Sequence, residues 1–181
     1  MMIGTCKLCR TSGVELRDSH LLPANIYKKI RRSEGANNSL VVASKESFRF
    51  TDRQISDYVL CGDCEQRFGE VENWVSRQCL QDDESFPLRD AVALQSPLHD
   101  DAEIRPVSGE AAAVDAKRYA YFASSILWRA GVHIWGKGSD RVTVELGPYE
   151  AQLRLYLLCQ LAFYVQPRIS SFSRNTWIAA R

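Results

Sequence analysis

Cys6-Lys7-Leu8-Cys9 and Cys61-Gly62-Asp63-Cys64 are two cysteine pairs in a chain of 181 residues. A C-x-x-C turn brings two sulfurs within reach of one ion, and four thiolates in a tetrahedron are the donor set of a structural zinc site. Four unlinked buried thiols or a redox dithiol are the competing readings, but a redox dithiol expects a βαβ setting that the flanking sequence does not provide. Cys79 and Cys159 lie in apolar helical stretches and read as packed thiols. Zinc would contribute about 10–16 kcal/mol of apparent folding free energy, which a small module with little core needs.

Between the pairs stands Asp18-Ser19-His20-Leu21-Leu22-Pro23. An imidazole titrates near neutral pH, so His20 suits a general base that activates water against a phosphodiester. Such hydrolysis usually needs a divalent cation on the phosphate oxygens as well. Asp18, Asp57, Glu65 and Glu72 are the carboxylates available to hold one. A histidine hydrogen-bonded at a strand end, or a spare metal ligand, fits the same position. Lys28, Lys29, Arg31 and Arg32 follow closely and offer phosphate contacts, although a basic helix face is also an ordinary solvated one. Trp128-Arg129 and His133-Ile134-Trp135 could stack bases, but large residues on most sides of a helix argue for core packing.

These residues need elements to position them. Residues 5 to 10 read as a zinc knuckle, and 14 to 22 as β-structure ending at Pro23, which opens a helix over 24–30. Residues 33–39 are a loop by composition; 40–43 and 47–51 read as strands. Residues 55–60 lead into the second cysteine pair. From Gly62 to Leu80, Cys64, Phe68, Val71, Val75 and Cys79 recur at helical spacing. The positive end of that helix would stabilise thiolates at its start. Knuckle, strand pair and ligand-bearing helix together make a treble-clef arrangement. A short helix is expected within 86–94, and a long apolar one over 111–135 with Tyr119, Phe122, Ile126 and Leu127 buried. A strand over 141–146 and a last helix from Tyr149 to about 165 complete the chain.

The expected fold is α+β: an N-terminal zinc-bound module over 1–80, an acidic, proline-containing connector over 81–110, and a mainly helical unit over 111–181. With 45% apolar and 25% charged residues the composition is that of a globular protein. A net charge of +1 excludes a uniformly basic nucleic-acid binder, but the charge is uneven: basic near Arg10 to Arg32 and acidic from Asp57 to Glu103. No apolar run is long enough for a membrane span, and the cysteine pair meets the N-terminus without room for a signal peptide. A cytoplasmic location, where thiols stay reduced, is expected.

The cysteine pairs, the His20-Leu21-Leu22-Pro23 segment and Leu60-Cys61 entering a helix together resemble the zinc-containing HNH endonucleases. A closer likeness is to bacterial and phage proteins with an Asp-Ser-His-Ile-Ile-Pro-like segment. These share the Leu60 to Phe68 pattern and segments like Ile126-Leu127-Trp128-Arg129-Ala130 and Leu146-Gly147-Pro148-Tyr149-Glu150. The resemblance spans most of the chain and implies a ββα-metal core, His20 as general base and metal-dependent cleavage of DNA or RNA. The chain departs from the HNH pattern at Ser19, where an acidic residue or histidine usually precedes the base. It departs again at Ser56-Asp57 in place of asparagine, and at Glu65 in place of a ligand histidine or asparagine. Asp18, Asp57 and Glu65 would then supply hard oxygens for magnesium or manganese. The helical unit would orient substrate, or bind a protein partner or a second copy of the chain. The alternative is a zinc module without catalysis that binds nucleic acid or protein.

Overall fold

The structure, a computed structural model, describes residues 1–32, 40–43, 48–51, 54–79, 81, 85–95, 113–136, 141 and 143–158. Most of the expected connector, Cys159 and the continuation of the last helix lie outside the described residues. The architecture is mixed α/β. Strands β1 (Met2–Gly4), β2 (Val14–His20) and β5 (Ser56–Cys61) form an antiparallel sheet in the order β1-β2-β5. Helix α1 (Ala24–Arg32) follows β2, and β3 (Leu40–Ala43) pairs with β4 (Phe48–Thr51) as a separate antiparallel ribbon. Then come α2 (Gly62–Gln78), α3 (Pro87–Ala93), α4 (Ala116–Val132) and α5 (Tyr149–Leu157). Among the described residues no helix is long and apolar enough to cross a membrane.

The β2–β5 ladder breaks its register at one place. Arg17 faces Leu60 but Asp18 faces Tyr58, so Val59 is an extra residue on β5. Such a bulge turns the following side chains to the other face. Around the break the alternation fails on both strands: Arg17 and Asp18 are both exposed on β2, and the consecutive Val59 and Leu60 are both buried on β5. Unbroken alternation from buried Leu16 would have turned Asp18 inward and Ser19 outward. Instead Ser19 is fully buried and its hydroxyl accepts the Leu60 amide at 3.2 Å.

Helix α2 buries Cys64, Phe68 and Val75 at the spacing the sequence predicts, with Val71 and Cys79 half-buried. Asp63 and Glu65 in its first turn and Arg77 in its last oppose the helix dipole favourably. Phe68 is the centre of the packing: its ring meets Tyr121 and Trp128 edge-on at 6.2 and 6.3 Å. Helix α4 starts at the cap residue Asp115, whose carboxylate accepts the Arg118 amide at 3.0 Å. Its inner stripe is Tyr121, Ser124, Ser125 and Trp128, so Leu127, expected inside, stands 52% exposed. The two serines disguise that stripe; Ser125 donates to the Phe122 carbonyl at 2.7 Å and so satisfies itself inside the helix.

Residues 143–146 form no strand, contrary to the expectation from their alternation. The segment lies along the end of α4, where the Val144 amide donates to the Ala130 carbonyl at 3.0 Å. Trp128 and Trp135 are fully buried, which makes the aromatic stretch core and not a base-stacking surface. One apolar cluster includes Cys6, Leu8, Leu60 and Phe68 together with Trp128, Trp135 and Leu157. The cysteine-bearing half and the helices α4 and α5 therefore share a core.

A shared core should unfold as one unit. Trp128→Ala is expected to cost about 3–5 kcal/mol and to lower the helical circular-dichroism transition and metal release together. Metal retained after the helices have melted would show two independent units.

Candidate metal centre

Cys6 and Cys9 sit on a tight turn. The Arg10 amide donates to the Cys6 carbonyl at 2.9 Å and the Cys6 amide to the Thr11 carbonyl at 3.0 Å. Arg10 adopts left-handed backbone with φ 64° to close that turn. The knuckle is tied down from both sides: the Lys7 amide donates to the Val59 carbonyl at 3.1 Å, and Arg154 Nη1 of α5 donates to the Leu8 carbonyl at 3.0 Å. Leu8, at the tip, is fully buried. Cys61 ends β5 and Cys64 lies in the first turn of α2, so the strand-to-helix turn delivers the second pair.

The four Sγ atoms lie within 4.8 Å of one another, and Cys9 and Cys61 are separated by 3.8 Å between sulfurs. A tetrahedron with metal–sulfur bonds of about 2.3 Å has sulfur edges near 3.8 Å, whereas a disulfide needs about 2.0 Å. The geometry fits one metal ion bound by four thiolates. Cys6 and Cys64 are buried, and Cys9 and Cys61 are half-buried. Cys9 Sγ hydrogen bonds with Thr11 Oγ1 at 3.2 Å, an outer contact of the kind that orients a ligand.

The electrostatics of the sulfurs point the same way. Hydrogen bonding from the Cys64 thiol draws the Cys6 thiol down to about 4, against the opposing effect of burial. The same contact, with burial, pushes Cys64 well above its ordinary value. Burial likewise pushes Cys61 up. Packed sulfurs thus compete for a single negative charge, and a bound dication removes the conflict by stabilising all of them as thiolates.

The other candidates divide into three places. His20 is half-buried at the last position of β2, and its carbonyl accepts Arg129 Nη1 at 2.8 Å. Glu65 follows Cys64 on α2; burial raises its carboxyl, while the Ser19 hydroxyl, Arg129 and His20 pull it down and Glu72 repels it. Its Oε1 is buried without a hydrogen-bond partner among the described residues. Asp57 faces Ser19 across the ladder; its Oδ1 accepts the Tyr58 amide at 2.8 Å and its Oδ2 meets His133 Nε2 at 2.9 Å. Asp18 is exposed on the bulged stretch of β2. Among the described residues, the four cysteines are the one set of three or more potential ligands whose donor atoms converge. Lys28 is exposed on α1; the side chains of Lys29, Arg31 and Arg32 lie outside the described residues.

Two partners were not foreseen from sequence. Arg129 is fully buried yet charged, and its Nη2 forms a short ion pair with Glu72. His133 pairs with Asp57 across the end of α4. An arginine between the apolar run Ile126-Leu127-Trp128 and Ala130 was the available signal, since a buried guanidinium must find a carboxylate. Comparison with protein-family models, curated proteins and solved structures finds no match.

A protein purified without chelator is expected to carry a single zinc ion by elemental analysis. Cys61→Ser, or removal of zinc with a strong chelator, should abolish the cooperative thermal transition. Metal-free wild-type protein with an unchanged melting temperature would rule the site out.

Proposed function

We propose that the chain is a zinc-organised, treble-clef protein of the HNH endonuclease type that hydrolyses phosphodiester bonds in nucleic acid. The observation that carries this reading is the junction behind the cysteine cluster. His20 ends β2, Glu65 lies in the first turn of α2 beside Cys64, and Glu65 Oε1 is buried without a hydrogen-bond partner among the described residues. A buried carboxylate oxygen left without a partner suits a hard cation, and magnesium commonly takes only one or two protein carboxylates and completes its shell with water and substrate phosphate. Scattered carboxylates are therefore compatible with the role.

In this reading zinc builds the site and takes no part in the reaction. Magnesium or manganese would neutralise charge on the phosphate oxygens. His20 would take the proton of the attacking water as the new P–O bond forms and the bond to the leaving oxygen breaks, the leaving alkoxide then taking a proton from solvent water. Glu65 would hold the cation, while Asp18 and Asp57, whose carboxylates do not converge with it into a ligand set, would act through water or substrate. The pairing of Asp57 with His133 favours an orienting part for it. Lys28, Lys29, Arg31 and Arg32 hold the phosphate backbone.

A second reading is a zinc module that binds nucleic acid or protein without catalysis. It is favoured by the lack of any converging donor set besides the four cysteines among the described residues.

Cleavage of supercoiled plasmid or single-stranded RNA should require magnesium or manganese. His20→Ala should lower the rate by about 10²–10⁴-fold with zinc content unchanged. Full activity in that variant defeats the mechanism, and salt-sensitive binding without cleavage selects the second reading.

A further inference from the structure

Arg129 makes an unusual set of contacts for a side chain 1% exposed. Nε donates to the Ser125 carbonyl at 3.4 Å, Nη1 to the His20 carbonyl at 2.8 Å, and Nη2 to Glu72 and to Ser125 Oγ. The guanidinium lies over the Phe68 ring, 5.1 Å from its centre. Charge neutrality needs only Glu72. One edge of the fork is nonetheless spent on a main-chain carbonyl 109 positions away in sequence, and that carbonyl belongs to the candidate base.

The place of that contact is informative. His20 is the last residue of β2, and its partner Ser56 is the first of β5, so the ladder ends there. Beyond it the Leu21 amide donates to the Ile55 carbonyl at 3.0 Å, and Leu21 and Pro23 are buried. On the other side Ser19 is held by the Leu60 amide. Arg129 fixes the residue between these two anchors. Glu72 stands on α2, the helix that also carries Cys64 and Glu65, and Arg129 on α4. The arginine thereby joins the end of β2, the metal-bearing helix and the C-terminal helices through one rigid plane. A lysine has a single point of charge and cannot span Glu72 and the His20 carbonyl in the same way.

We infer that Arg129 is a positioning residue for His20: its guanidinium, oriented by Glu72, fixes the main chain of the base relative to Glu65, so that α4 completes the site. This rests on the nuclease reading for its catalytic consequence, but the placement of His20 can be measured without it.

The test uses the full chain with two variants. Arg129→Lys keeps a positive charge for Glu72 and loses the fork. The double variant Arg129→Met with Glu72→Leu removes both charges, a replacement that buried ion pairs often tolerate without loss of stability. Zinc content and melting temperature establish the fold; kcat and KM are measured on plasmid DNA with magnesium. The reaction of His20 with diethyl pyrocarbonate is followed by peptide mass, resolved from His99 and His133. The expected result is a kcat lowered about 10²-fold at unchanged KM, with faster modification of His20 and zinc retained. Wild-type kcat and wild-type His20 reactivity in both folded variants would overturn the inference. Loss of zinc and of the thermal transition in both would also overturn it, because Arg129 would then serve the fold alone. If the wild type does not cleave, the nuclease reading fails; a changed His20 reactivity in folded variants would still establish the positioning.

Discussion

Four sulfurs within 4.8 Å of one another set the terms for everything else in this chain. As thiols they share protons awkwardly, with Cys6 drawn down and Cys64 pushed up by the same contact. As thiolates they repel. A dication converts that conflict into about 10–16 kcal/mol of apparent stabilisation, comparable with the whole net stability of an ordinary domain. The metal would reinforce a meeting of the Cys6–Cys9 knuckle with the Cys61–Cys64 turn that the Lys7–Val59 backbone bond, the burial of Leu8 with Leu60 and the β2–β5 ladder also hold.

The second constraint is the desolvated charge of Arg129. Removing a guanidinium from water is costly, and a buried ion pair is poor evidence of added stability. What such a pair supplies is direction. Glu72, the His20 carbonyl, Ser125 and the Phe68 ring together leave the fork one orientation. The apolar cluster that runs from Leu8 and Leu60 through Phe68 to Trp128 and Leu157 excludes water around it, which strengthens each of these contacts. The cysteine cluster lies at the Leu16–Cys61 end of the β2–β5 ladder and the buried arginine at its His20 end.

Much of the local structure was legible because it follows short-range rules. The spacing of Cys64, Phe68 and Val75 foretold the inner face of α2, and Pro23 the start of α1. The readings that failed share a cause. The alternation at 141–146 and the apolar Leu127 are one-dimensional patterns, and each was overridden by what lies opposite. The bulge at Val59 leaves no mark in sequence, since it is a relation between two strands. Yet it decides that Ser19 points inward and Asp18 outward.

The sequence by itself determined the metal donor set, because residue type and C-x-x-C spacing are enough to bring two sulfurs to one ion wherever the turn occurs. It also offered His20 as a base, with Asp18, Asp57, Glu65 and Glu72 as undifferentiated carboxylate candidates. Only the tertiary structure decided which other groups belong with them. Asp57 is drawn to His133, Glu72 to Arg129, and the His20 carbonyl to a helix far along the chain. Those pairings join residues that no local rule connects. They are fixed by the packing of α4 against α2 and the sheet, where each buried polar group must find its partner or bear the cost of desolvation.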